Sequence, residues 1–182
     1  MKKYVVLLRG VNVGGKKPLP RAEFHRVLES LGFCDVMVYL NSGNAVFSST
    51  REPRTTEIQA ALENSCGFEV PTLLLSADMV CTIAEAIPDD WSNDPLNREK
   101  TGRKSDVVYL FDEVNSPDIL DRIGYKPDIE VMQFIDGAII TTIPRAHQQL
   151  GSLHKLIGTS LYQHVTVRNV NTARRLAEIA RG

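Results

Sequence analysis

The chain has 182 residues, 43% of them apolar and 24% charged, with a net charge of −1. These values suit a soluble globular protein with a substantial core, and they exclude the strongly basic balance of a general polyanion binder. No apolar run reaches the length of a membrane span, and the opening Met1–Arg9 is too short for a secretion signal. Cys34, Cys66 and Cys81 are scattered, without CxxC spacing or histidines at ligand distance, which points to buried thiols in a reducing cytoplasm and to no metal site.

The charge is unevenly distributed. Residues 137–182 carry Arg145, Lys155, Arg168, Arg174, Arg175 and Arg181 against Glu178 alone, whereas residues 89–136 carry six basic and twelve acidic side chains. Two readings stand side by side: differing solvated faces, or a local positive field towards the C-terminus.

In chain order, residues 4–8 read as a buried strand that runs into a glycine-rich loop. Pro20 opens a helix with Phe24, Val27, Leu28 and Leu31 at helical spacing, and Gly32 ends it. Asp35–Leu40 and Ala45–Ser48 are strands joined by the tight turn Asn41-Ser-Gly-Asn44. A second helix starts near Thr55 or Thr56, with Gln59 placed for a capping box, and buries Ile58, Leu62 and Cys66. Glu69–Leu75 is a strand that Pro71 assigns to a sheet edge. A further helix runs from Ser76 as N-cap to Pro88.

Residues 89–105 read as a polar connecting loop, after which the order repeats. Asp106–Phe111 is a strand, Ser116–Ile123 a helix, and Ile129–Ile135 and Ala138–Ile143 a hairpin about Asp136-Gly137. A helix over Gln149–Ile157 buries Leu150, Leu153, Leu156 and Ile157. Leu161–Arg168 is the last strand, and Asn171 or Thr172 caps a final helix with Leu176, Ala177 and Ala180 inward. The expected fold is therefore α+β, with two consecutive ferredoxin-like (βαββαβ) halves over 1–88 and 106–182, each followed by an extra helix.

Such halves have antiparallel sheets of order 4-1-3-2, which brings particular loops together. In the first half the loop after strand one should lie beside the Asn41–Asn44 turn. In the second, Ser152, Lys155, Arg168, Asn169 and Asn171 should be neighbours.

The loop Gly10-Val-Asn-Val-Gly-Gly-Lys-Lys17 approaches the phosphate-binding pattern G-x-x-x-x-G-K-[ST], and Val107–Glu113 has the look of its acidic strand. Lys17 replaces the required hydroxyl, however, and Pro18-Leu-Pro20 delays the helix. Glycines with Arg9, Asn12, Lys16 and Lys17 still suit either an anion cradle or a plain turn. Ser152-Leu-His-Lys155 is an S-x-x-K, readable as a nucleophile with its base or as a helix cap with a solvated lysine; Lys100-Thr-Gly102 lies in the wrong order for a penicillin-binding site. His147, His154 and His164 lack partners at ligand spacing. Arg168-Asn-Val-Asn-Thr172, just before a helix, suits both capping and an anion at the positive helix end.

Taken together, L-R-G-V-N-V-G-G at 8–15, Y-L-N-S-G-N-A-V-F at 39–47 and V-R-N-V-N-T at 167–172 resemble a bacterial family known as domain of unknown function 1697. The resemblance runs nearly end to end, departing at Leu19-Pro20, where members often carry an apolar residue, proline and methionine. It implies two ferredoxin-like halves and places the family's recurring positions on Arg9, Asn12, Gly14, Ser42, Gly43, Asn44, Ser152, Lys155, Thr166, Arg168, Asn169, Asn171 and Thr172. It assigns no reaction and no cofactor.

The leading expectation is an anionic, phosphorylated small molecule. Arg9, Lys155 and Arg168 would neutralise its charge, Asn12, Ser42, Asn44 and Asn169 would orient it, and Gly14 would let the backbone approach; Lys16, Ser152, Asn171 and Thr172 complete the expected binding set. An enzyme using Lys155 or Ser152 at that site is the alternative. Tyr39, Phe47, Tyr109 and Phe111 form no recognisable RNA-binding pattern, which argues against a nucleic-acid partner. In a purely structural protein, the same polar clusters would be caps.

Overall fold

The computed structural model describes residues 1–93 and 102–182. Eight strands form two four-stranded antiparallel sheets among these residues. The first holds β1 (Lys2–Leu8), β2 (Cys34–Tyr39), β3 (Asn44–Ser49) and β4 (Thr72–Ser76), in the order β2-β3-β1-β4. The second holds β5 (Arg103–Leu110), β6 (Val131–Ile135), β7 (Ala138–Pro144) and β8 (Val165–Asn169), in the order β6-β7-β5-β8. Both have the expected 4-1-3-2 order. Six α-helices accompany them: α1 (Arg21–Ser30), α2 (Thr55–Cys66), α3 (Ala77–Glu85), α4 (Ile119–Arg122), α5 (Ser152–Leu156) and α6 (Val170–Arg181). The chain divides into two compact units, Met1–Cys81 with Leu176–Gly182, and Thr82–Arg175.

In the first unit β1 is central, paired with β3 and β4, which is why its apolar run is continuous and not alternating. Tyr4, Val6 and Leu8 share one face with Ala45 and Phe47, and Phe24, Leu28, Ile58 and Leu62 from α1 and α2 complete that core. Phe47 stacks on Phe33 with ring centroids 4.2 Å apart. Each such fully buried side chain stabilises the fold by about 1.5–3 kcal/mol. The cap of α2 differs from expectation: the Arg54 amide donates to Glu57 Oε1 at 3.1 Å, so Glu57 closes the turn and Gln59 does not. Pro71 lies just before β4, and β4 is indeed an edge strand. Ser76 caps α3 as expected, accepting from the Met79 amide at 3.1 Å. The thiols are free, but none is fully buried as expected: Cys34 is exposed, because it begins the edge strand β2, and Cys66 and Cys81 are half-buried.

The core of the second unit lies under one face of its sheet, where Val108, Leu110, Ile139 and Val165 meet Ile119 of α4 and Leu156 of α5. Three expectations fail here for local reasons. The helix expected over 149–157 is split, since Gly151 is extended (φ −66°, ψ 154°) between a 3-10 turn at Arg145–Leu150 and the short α5. Leu150 and Ile157 consequently stay 55% and 59% exposed. The last strand starts only at Val165, after a second 3-10 turn over Ser160–His164. Finally, α6 is capped earlier than expected, by Asn169 and not by Asn171 or Thr172: the Thr172 amide donates to Asn169 Oδ1 at 2.8 Å. Leu176, Ala177 and Ala180 point inward as expected. Of the K-T-G motif, Lys100 and Thr101 lie outside the described residues.

Candidate functional site

The loop after β1 is a miniature hairpin. Val13 bridges Lys16, the Lys16 amide donates to Val13 O at 3.0 Å and the Asn12 amide to Lys17 O at 3.0 Å. Gly14 (φ 58°) and Gly15 (φ 72°) occupy the two corners, the left-handed pair that a type I′ turn demands. Helix α1 starts only at Arg21, after an extended Pro20, and the sheet is antiparallel, so no phosphate-binding helix follows the glycines.

The turn at residues 41–44 does lie beside this loop. Asn12 Nδ2 donates to Asn41 O at 2.7 Å and to Leu19 O at 2.9 Å, while Asn12 Oδ1 accepts from the Leu19 amide at 2.8 Å. One carboxamide thus ties together the loop, its exit and the hairpin turn. The Leu8 amide donates to Gly43 O at 2.7 Å, and a Cβ on Gly43 would lie 2.6 Å from Leu8 Cβ. Asn44 is wholly buried and donates to Tyr39 O at 3.0 Å and Ser42 Oγ at 2.9 Å. Around this corner Lys16 and Ser42 are exposed and Arg9 is half-buried. Lys17 is tied elsewhere, donating to Glu69 O at 3.0 Å with its ammonium 5.6 Å from the Phe68 ring centre.

The second expected cluster does not assemble. Arg168 pairs in register with Val107, and Tyr109 with Thr166, so all four project from the sheet face opposite Val108, Leu110 and Val165. Arg168 Nη1 donates to Thr166 Oγ1 at 2.8 Å and to Val167 O at 2.9 Å, and burial pushes the guanidinium down to about 10. Tyr109 is fully buried beside it, its hydroxyl without a hydrogen-bond partner among the described residues, and burial raises its pKa. Ser152 belongs to α5, on the other face, with Leu153 and Leu156. Asn169 is the cap of α6, and Asn171 Nδ2 donates to Asn93 O at 2.7 Å. Thr172 is buried behind that cap. Of the remaining C-terminal basic groups, Arg174 donates to Trp91 O at 2.6 Å and Pro88 O at 2.7 Å.

Ser152 is not arranged as a nucleophile. It has no solvent exposure, its hydroxyl lies within hydrogen-bond reach of two acceptors, Gly124 O at 2.6 Å and Glu130 Oε1, with one proton for the pair, and its amide donates to Glu130 Oε2 at 3.1 Å. Lys155 is exposed. It lies next to Lys126, whose pKa that contact, more than any other cause, holds below the ordinary lysine value. Of the four aromatics, Phe47 and Tyr109 are wholly buried and offer no stacking surface for a base, whereas Tyr39 and Phe111 are half-buried.

One feature escaped sequence reasoning. A cleft of about 120 Å³ in the second unit is lined by Lys104, Asp106, Glu130, Thr141, Gln148 and His154, with Ile143, Gly151, Leu153 and Ile157. Asp106 is 5% exposed, and burial raises its carboxyl pKa against the opposing pull of Lys104, whose Nζ lies 3.3 Å away. The only signal available was an acidic residue inside the apolar run of β5. Among the described residues, no cluster of three or more potential metal ligands occurs, and no helix is long and apolar enough to cross a membrane.

The family described as protein of unknown function (DUF1697) matches residues 1–139. A solved structure similar to the chain is that of a conserved bacterial protein, SP0830, from Streptococcus pneumoniae. It is 25% identical, with a TM-score of 0.76 and 98% of each chain covered. No curated protein matches the sequence.

Proposed function

We propose, for a chain that belongs to the DUF1697 family, that the corner between the Arg9–Lys17 loop and the 41–44 turn binds an anionic small molecule, with phosphorylated compounds the first class to test. The observation that carries this reading is the Asn12 clamp. A carboxamide that makes three hydrogen bonds across two loops pre-organises them, so little ordering cost remains when a ligand arrives. At Gly14 and Gly15 no side chain stands between a ligand and the backbone, Lys16 and Arg9 add positive charge, and Ser42 adds a hydroxyl. Asn12 and Asn44 position the corner and do not touch the ligand.

The 4-1-3-2 order of both sheets supports describing the halves as ferredoxin-like, and the three free thiols are in keeping with a reducing compartment. The test of the binding proposal is a titration of inorganic phosphate, pyrophosphate, nucleotides and sugar phosphates, followed by calorimetry. Lys16→Ala and Arg9→Ala should each weaken the best binder by about tenfold, the loss expected for one charge-assisted hydrogen bond. Indifference to every phosphate compound, or binding untouched by both substitutions, refutes the proposal.

A further inference from the structure

The cleft of the second unit stands outside that reading. Its floor is built from two register pairs of β5 and β7, Asp106 with Thr141 and Lys104 with Ile143. Its rim comes from Glu130 and from the segment around α5. Gly151 allows that segment to pass close by, since a Cβ there would sit 2.7 Å from Ile143 Cδ1 and 3.2 Å from Glu130 Oε2. The volume, about 120 Å³, is slightly below the roughly 150 Å³ of a cavity known to admit benzene.

The chemistry of the floor is unusual for its position. Asp106 projects from the face that continues into Val108 and Leu110, where an apolar side chain would pack without losing hydration. Its carboxylate is instead kept at the bottom of a solvent-connected cleft, with the partly exposed Lys104 3.3 Å away and a hydrogen bond from the Asn93 side chain. Glu130 is already engaged by the Ser152 amide and hydroxyl and the Lys126 amide, which leaves Asp106 and Lys104 as the charges a ligand can address. Ile143, Leu153 and Ile157 supply apolar wall, and Ile157 is 59% exposed there.

Neither a simple cation nor a simple anion matches this set. A lone cation would join Lys104 and Arg145, both of which already act on Asp106. A lone anion would face the Asp106 and Glu130 carboxylates. We infer that the cleft binds a small zwitterionic amino acid with an apolar side chain. Its ammonium would sit on Asp106, its carboxylate on Lys104, and its side chain against Ile143, Leu153 and Ile157, separating the resident ion pair into two new ones.

The experiment uses the full chain with methyl-labelled isoleucine and leucine, observed by NMR during titration with valine. Isobutylamine, which is valine without its carboxylate, and isovalerate, which is valine without its amine, are the controls. Valine should shift the methyl signals of Ile143, Leu153 and Ile157 and bind at least about tenfold more tightly than either control. Asp106→Asn and Lys104→Met should each weaken valine by about tenfold or more. If Asp106→Asn fails to fold, the partly exposed Lys104→Met decides. No shift of these methyls up to about 10 mM valine, equal binding of a single-charge control, or full retention in Lys104→Met overturns the inference.

Discussion

Replacing Gly43 by alanine should damage the fold far more than replacing Gly14, although both glycines have positive φ. At Gly14 (φ +58°) a Cβ would meet nothing within 4 Å, so the cost is the left-handed conformation alone, about 1 kcal/mol. At Gly43 (φ +74°) the same conformational cost applies, and the new methyl would lie 2.6 Å from Leu8 Cβ and 2.8 Å from Val11 Cγ2. Leu8 and Val11 are themselves 1% and 3% exposed and cannot turn aside into solvent. Relieving that overlap requires shifting the β1 end against the hairpin, which adds about 1–3 kcal/mol and brings the total to about 2–4 kcal/mol. The assay is urea denaturation of wild type, Gly14→Ala and Gly43→Ala, comparing midpoints at equal slope. Gly43→Ala should also weaken any phosphate binding, because the turn and the glycine loop would move apart. Equal destabilisation by the two substitutions would refute the close approach of the loop and the turn on which the proposed corner depends.

Tyr109→Phe removes a buried hydroxyl that has no partner among the described residues, so it should leave stability unchanged or raise it by about 1 kcal/mol, read as a denaturation midpoint. A loss of more than that would show that the hydroxyl is satisfied in solution. Asn12→Ala removes three hydrogen bonds at an exposed position and should cost about 1–2 kcal/mol by the same assay. Asn12→Gly, which suits the φ of 56°, should recover part of that loss. Two carboxylates should affect the pH dependence of stability in opposite senses. Burial raises Asp106 above its ordinary 3.8, so its contribution is fully present below that value and is lost as pH rises through the folded value; Asp106→Asn should flatten that fall. The hydrogen bond from Arg51 lowers Glu57 below 4.5, so its contribution is present above that value and is lost as pH falls; Glu57→Gln should remove the acid-side loss. Denaturation curves between pH 3 and 7 decide both, roughly the range over which carboxylates titrate.

Local pattern determined much of this protein: the continuous apolar run of β1, the amphipathic faces of α1 and α2, the Asn41–Asn44 turn and the Ser76 cap all follow from residue type and short-range spacing. The pairing of the glycine loop with that turn was also legible, since the 4-1-3-2 order brings those two ends together. What depends on the strand pleat and on distant partners was not. Arg168 and Ser152 seemed neighbours in topology, yet the two-residue period of β8 puts the arginine on the face away from α5. The S-x-x-K spacing left Ser152 readable as a nucleophile or as a helix cap, and it is Glu130, twenty-two residues away, that holds it. Asn169 took the capping role expected of Asn171 or Thr172, because the strand runs directly into α6 and leaves no intervening turn. Asp106 acquired its importance only from what covers it. Residue spacing sets which elements form and which face is apolar, whereas the company a polar side chain keeps is decided by elements far away in the chain, and that company gives it its chemistry.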